Sequence, residues 1–214
     1  MKFVIFHGSF GNPEGNWFQE LKEKLEALGQ QVLVPQFPVE NWEEVTKIGP
    51  KGHLTKQNLK NWFRTYEKEV LPFIRNEKKI CFIGHSLGPL FILHIVDKYN
   101  LLLDSAFFVV PFISRLNNYK GFWQFDKVNA TFYKTDFDFA KLRKLIPISY
   151  VLYSTNDPYV PSSYPKEFSS RLNSSTILVN KAGHLNSEVN LNEFPLIFEL
   201  CKTRLNYPKV ARFV

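Results

Sequence analysis

A chain of 214 residues, 44% hydrophobic and 22% charged, is long enough for one sizeable core and has the composition of an ordinary globular domain. Its net charge of +7 comes from lysines scattered along the sequence, without zinc-finger spacing or a basic helix with interleaved aromatics, which argues against a nucleic-acid partner. Met1–His7 is too short and too soon polar for a signal peptide, no apolar segment approaches bilayer-spanning length, and Cys81 and Cys201 lie among apolar residues like small buried hydrophobes, so a cytoplasmic protein with no membrane partner is expected.

In chain order, the apolar run Phe3–Phe6 predicts a central strand, followed by the loop His7-Gly8-Ser9-Phe10-Gly11-Asn12-Pro13-Glu14-Gly15, rich in turn residues. Asn16 is placed to cap an amphipathic helix with Phe18, Leu21, Leu25 and Leu28 on one face and Gly29 at its end. Val32–Val34 predicts a second strand closed by Pro35, and 39–53 reads as a long surface loop around Trp42. Residues 55–75 carry Leu59, Trp62, Tyr66, Val70 and Phe73 at helical spacing, with Pro72 expected to disturb the last turn. Ile80–Ile83 reads as a buried strand and Leu90–Val96 as a helix buried on most sides.

Further strands are expected at 105–110, 148–154 and 176–179, and further helices at 136–145, 164–172 and 191–205. Between them, Phe112, Tyr119, Phe122, Trp123, Phe125, Phe132 and Tyr133 accumulate without periodicity, either as pocket lining or as core beneath a long loop. Strands alternating with helices predict an α/β fold: a three-layer sandwich on a mostly parallel sheet of about six strands, in one domain spanning 1–214 with no large lid.

Gly84-His85-Ser86-Leu87-Gly88 lies between the buried strand and the buried helix, the setting of a nucleophile elbow. The turn strains the serine backbone, and a side chain two positions away on either side would crowd it; glycine removes the crowding. Pro89 is tolerated in a first helical turn and leaves the N–H of Leu87 free to stabilise developing negative charge. A nucleophilic serine needs a base and a group to orient the base, in this architecture in the order Ser, Asp or Glu, His, each after a strand. Asp157, in Asn156-Asp157-Pro158-Tyr159-Val160-Pro161, and His184, in Ala182-Gly183-His184, supply them in that order. Asp136 and Asp138 are read as helix caps, His85 and His94 as core residues, His53 as a loop residue, and His7 as a prop for the loop that follows it.

These motifs, with His7-Gly8-Ser9 and Gly121-Phe122-Trp123-Gln124-Phe125, resemble over nearly the whole chain the α/β-hydrolases, and more closely the small lidless serine hydrolases of the retinoblastoma-binding protein nine and YdeN-like family. The resemblance implies Ser86 as nucleophile, His184 as general base and acid, Asp157 as orienting carboxylate, and the backbone N–H groups of Ser9 and Leu87 as an oxyanion hole. Pro89 and the long segment between Pro35 and His53 depart from the family, and the Leu-x-Cys-x-Glu retinoblastoma-binding motif is missing, so that partner is not carried over. Phe10, Phe112 and Trp123 are the candidate substrate-contacting aromatics. No metal-ligand spacing, phosphate-cradling loop or dinucleotide fingerprint appears, so no metal and no cofactor are expected. The expected function is hydrolysis of small carboxylic esters, thioesters or amides through an acyl-enzyme. The alternative is a non-catalytic protein-binding module on a hydrolase scaffold.

Overall fold

A computed structural model describes residues 1–116 and 122–205. Tyr119 and Gly121, both singled out in the aromatic stretch, lie outside the described residues. Six strands, β1 (Lys2–Phe6), β2 (Gln31–Leu33), β3 (Ile80–His85), β4 (Ser105–Val109), β5 (Ser149–Ser154) and β6 (Ser175–Val179), form one sheet in the order β2-β1-β3-β4-β5-β6. Every neighbouring pair is parallel. The inner strands are continuous apolar runs because both their faces are covered; β3 and β4 are buried at every residue, whereas the edge strand β6 is largely exposed.

The covering helices are α1 (Phe18–Ala27), α2 (Trp42–Ile48), α3 (Leu59–Thr65), α4 (Leu71–Ile74), α5 (Leu87–Tyr99), α6 (Trp123–Asn129), α7 (Phe139–Leu145), α8 (Ser163–Leu172) and α9 (Pro195–Lys202). They lie on both sides of the sheet: α1 packs with α9, and α7 packs with both α5 and α8. Among the described residues, no helix is long and apolar enough to cross a membrane. The phenylalanine-rich composition goes mainly into the core, where Phe6 meets Phe82 edge-on at 4.9 Å and Phe37 stacks on Trp62 at 4.7 Å. Truncating such a ring to alanine typically costs about 3–5 kcal/mol.

Three local expectations are corrected. Asn16 does not cap α1; it sits at φ 57° with its side chain turned to the 184–187 loop, and Trp17 precedes the helix with no side-chain cap. The stretch 39–53 is not all loop, for α2 starts at Asn41, whose Oδ1 accepts from the N–H groups of Glu43 and Glu44. The single helix expected over 55–75 is α3 and α4 joined by a π-helical segment, Tyr66–Val70. Pro72 lacks an N–H and its ring would clash with the carbonyl four residues earlier; with the preceding turn widened, Leu71 donates to Tyr66 five residues back.

Candidate active site

β3 ends at His85 and α5 begins at Leu87, so the whole reversal falls on Ser86, held at φ 59°, ψ −103°. The Ser86 N–H donates to the carbonyl of Val109 at 2.9 Å, anchoring the strained residue to β4. A Cβ at Gly84 would lie 2.6 Å from the Pro89 nitrogen, and one at Gly88 would lie 2.5 Å from the Phe6 carbonyl oxygen. Both glycines are therefore required by the close approach of α5 to the sheet. Gly8 is equally confined, since a Cβ there would lie 2.8 Å from that of Ser86. The loop after β1 thus runs against the serine.

Asp157 and His184 are brought together by the ends of β5 and β6. The Ser154 hydroxyl oxygen accepts from the Ala182 N–H at 2.9 Å, Thr155 Oγ1 from the Lys181 N–H at 2.9 Å, and Asn156 Oδ1 from the Gly183 N–H at 2.9 Å. Three consecutive side chains of one loop thereby fix three consecutive amides of the other. His184 follows, its Nδ1 2.8 Å from Asp157 Oδ2, with side-chain exposures of 8% and 2%. The second carboxylate oxygen accepts from the N–H groups of Tyr159 and Val160 at 2.8 and 2.9 Å. Since a carboxylate accepts, the imidazole proton sits on Nδ1 and Nε2 is left as the basic nitrogen. Asp157 has both oxygens committed and cannot turn away.

Two further histidines act as fixed props. His85 is buried, its Nε2–H donates to the His184 carbonyl at 2.9 Å, and its ring meets the His184 ring edge-on at 4.9 Å. Desolvation, reinforced by repulsion from His184, lowers its pKa to about 3. His7 accepts the Phe37 N–H at Nε2 and donates from Nδ1 to the Gly8 carbonyl; burial lowers its pKa to about 4. Both are neutral at pH 7.

The loop after β1 is held from its other side by a buried amide chain. Ser9 Oγ donates to Asn129 Oδ1 at 2.6 Å, Gln57 Nε2 donates to the same oxygen at 3.0 Å, and Gln57 Oε1 takes the Phe10 N–H at 3.4 Å. Glu40 accepts from the N–H groups of Thr55, Lys56 and Gln57, fixing the segment that carries Gln57. The Ser9 hydroxyl is therefore occupied. No protein acceptor among the described residues takes the backbone N–H of Ser9 or of Leu87.

Ser86, His184, Ser9 and Phe10 all line one cavity of about 450 Å³. Backbone at positive φ clusters around it, at Phe10, Asn16, Ser86, Lys181, Gly183 and Leu185, as strained backbone tends to do at functional sites.

The serine hydrolase family profile matches residues 3–203. The chain belongs to that family. This serine hydrolase has an α/β-hydrolase, YdeN-like fold. The ydeN gene product of B. subtilis is 20% identical, with a TM-score of 0.77 over 95% of this chain and 97% of that one. A putative YdeN-like hydrolase of Pectobacterium atrosepticum is 16% identical, with a TM-score of 0.57 over 95% and 88% of the two chains. Est1E of Butyrivibrio proteoclasticus, solved with ferulic acid bound, is 17% identical, with a TM-score of 0.63 over 94% and 86%. No curated protein sequence matches the chain.

The aromatic wall of the hydrolase cavity differs from the one expected. Phe10 lines it, but Phe112 does not: it follows β4, is 1% exposed and faces Tyr133 in the core. Trp123 is also absent from the wall; the turns of α6 send its neighbours Phe122 and Phe125 there instead. Trp42 of α2 and Tyr159 of the acid loop complete the wall. Trp42 was concealed by reading 39–53 as loop, though Asn41 followed by Glu43 and Glu44 is a legible helix start. Among the described residues there is no large lid, but α2 and α6 pack together as a small two-helix flank. Gln124 Nε2 donates to Thr46 Oγ1 at 3.1 Å, and Lys127 Nζ donates to the carbonyls of Gly49, Pro50 and Gly52 at 3.1, 2.7 and 2.6 Å.

Proposed function

We propose that this serine hydrolase cleaves small carboxylic esters through an acyl-enzyme, with Ser86 as nucleophile, His184 as general base and acid, Asp157 as orienting carboxylate, and the N–H groups of Ser9 and Leu87 as oxyanion donors. The observation that carries this reading is the 2.8 Å pairing of His184 Nδ1 with Asp157 beside a cavity that His184 shares with the strained Ser86. Nε2 of His184 removes the hydroxyl proton as Ser86 Oγ bonds to the ester carbon. The carbonyl oxygen becomes an oxyanion, which the Ser9 and Leu87 amides accommodate at the head of α5. Collapse breaks the bond to the alkoxy oxygen, which takes the proton from His184 and leaves as the alcohol. Water, deprotonated by the same nitrogen, then splits the acyl-enzyme, releasing the acid and restoring Ser86. Thioesters and amides react by the same steps with a different leaving atom.

Turnover of short-chain ethyl esters by wild type and by His184→Ala tests the assignment. Loss of at least about a thousandfold in kcat with an unchanged circular dichroism spectrum is expected. Full activity in the variant overturns it.

A further inference from the structure

The Ser9 amide is one half of a peptide unit whose other half is already bound. In the planar, trans Gly8–Ser9 peptide, the Gly8 carbonyl and the Ser9 N–H point in opposite directions. The carbonyl accepts from His7 Nδ1 at 2.8 Å and from the Gly11 N–H at 3.2 Å, so the Ser9 N–H is turned the other way. These bonds hold one end of the unit. A different set of residues holds the other end, at the Ser9 side chain and the Phe10 N–H.

Ser9 Oγ donates to Asn129 Oδ1 at 2.6 Å, and the Phe10 N–H donates to Gln57 Oε1 at 3.4 Å. Gln57 joins the two contacts, because its Nε2 donates to the same Asn129 oxygen at 3.0 Å and to the Val128 carbonyl at 3.5 Å. One side-chain amide therefore orients Asn129 and takes the next N–H of the loop after β1. Gln57 is placed in turn by Glu40, whose Oε1 accepts from the N–H groups of Thr55, Lys56 and Gln57 at 2.9, 2.6 and 3.4 Å. Glu40 stands before α2 and these three amides after it, so the carboxylate closes the excursion 40–57 at its neck. Gln57 and Glu40 are 3% and 6% exposed, and neither lines the cavity. Buried polar side chains are costly to desolvate, and apolar packing alone could tether such a segment. Hydrogen bonds add direction, which is what an amide aimed at developing charge requires.

We infer that Gln57 and Glu40 are positioning residues for hydrolysis: through the loop after β1 they set where the Ser9 amide stands, and they touch no substrate themselves. The inference rests on the reading of the Ser9 and Leu87 amides as oxyanion donors. Such donors are aimed at the oxyanion and not at the ground-state carbonyl, so a displaced donor weakens the transition state and leaves substrate binding nearly unchanged.

Gln57→Leu keeps the buried volume and removes both hydrogen-bonding ends. The reporter pair is ethyl butanoate and O-ethyl thiobutanoate, in which sulfur replaces the carbonyl oxygen. Sulfur is larger and a poorer acceptor, so the thionoester gains little from the two amides, and the advantage of the ester measures their fit. Acylation is read in single turnovers, where slow reactions remain measurable. In the wild type the ester should react about a hundredfold faster than the thionoester. Gln57→Leu should slow the ester about tenfold while half-saturation and the thionoester rate stay within about twofold, so that the preference falls about tenfold. Glu40→Gln keeps the shape and one acceptor oxygen; it should lower the preference about twofold, and it carries the test if Gln57→Leu does not fold. An unchanged ester rate, a loss shared equally by ester and thionoester, or a change confined to half-saturation overturns the inference. A fluorophosphonate separates the levels. Ser86 that is labelled, with an ester preference retained in both variants, rejects this inference alone. Labelled Ser86 with no ester preference in the wild type rejects the oxyanion reading with it, and no labelling and no turnover rejects the hydrolase mechanism as well.

Discussion

The two sides of the cavity are built by different means. The loops that hold Ser86, Asp157 and His184 are fixed through backbone groups close in register: Ser86 to Val109, residues 154–156 to residues 181–183, and Asp157 to Tyr159 and Val160. The flank carrying Trp42, Phe122 and Phe125 is tied by side chains reaching across roughly eighty positions, as Lys127 does to the carbonyls after α2 and Gln124 does to Thr46. A reacting centre tolerates little misplacement, and parallel strands deliver loops in fixed register to one edge of the sheet. A recognition wall needs apolar area and shape, which side-chain packing of two short helices supplies. On the proposed reading, chemistry is written in short motifs and recognition in tertiary contacts.

That contrast can be broken most severely at Asp157. Asp157→Asn keeps the shape but presents an amide to His184 Nδ1, favouring the wrong tautomer; kcat should fall by about 10³–10⁴ with KM little changed. Steady-state kinetics on any turned-over ester checks this, and a loss under tenfold would show that another group orients the histidine.

Asn129 bridges the two regions, since it stands on α6 and accepts from Ser9. Asn129→Ala should lower kcat about tenfold by loosening the loop that carries the Ser9 amide, and should cost about 1–3 kcal/mol of stability by stranding Gln57. Kinetics and urea unfolding read the two effects separately; an unchanged kcat would remove the amide chain from the account.

The flank alone is loosened by Lys127→Met, which frees three carbonyls at the end of α2. KM for a ring-bearing ester should rise several-fold while kcat stays within about twofold, because the loops around Ser86 do not depend on this lysine. A fall in kcat with constant KM would show that the two regions are not separable.

The smallest effect expected near neutrality is that of pH on stability. His7 and His85 titrate at about 4 and 3 in the folded protein, and the buried His94 is lowered as well, against an ordinary value of 6.5. Between those limits the unfolded chain binds more protons, so stability rises with pH. These groups contribute fully above about pH 6.5, and their contribution is lost as pH falls toward 4 and then 3. Urea midpoints should be flat from pH 7 to 8 and decline below 6.5, and His7→Gln should flatten the decline.

The same division explains what could be read from the sequence. All six strands stand out because short apolar runs between turn-forming and polar residues have few other uses, and Ser86, Asp157 and His184 stand out because each follows such a run. Asn16 misleads because a residue that caps helices well also tolerates positive φ, and here it bridges to Ser187 instead. Phe112 and Trp123 mislead for another reason. A phenylalanine in the core and one in a pocket wall look alike in sequence, and only the turns of α6 decide that Phe122 and Phe125 face the cavity. Gln57 and Asn129 carry no sequence signal, since the side chains they bond lie far away in the chain.

The most direct test of the central claim is labelling of the purified protein with a fluorophosphonate, followed by peptide mapping, beside Ser86→Ala. One equivalent of adduct is expected on Ser86, and none in the variant. Well-folded wild type that stays unlabelled, or adduct mapping to another serine such as Ser9, would contradict it.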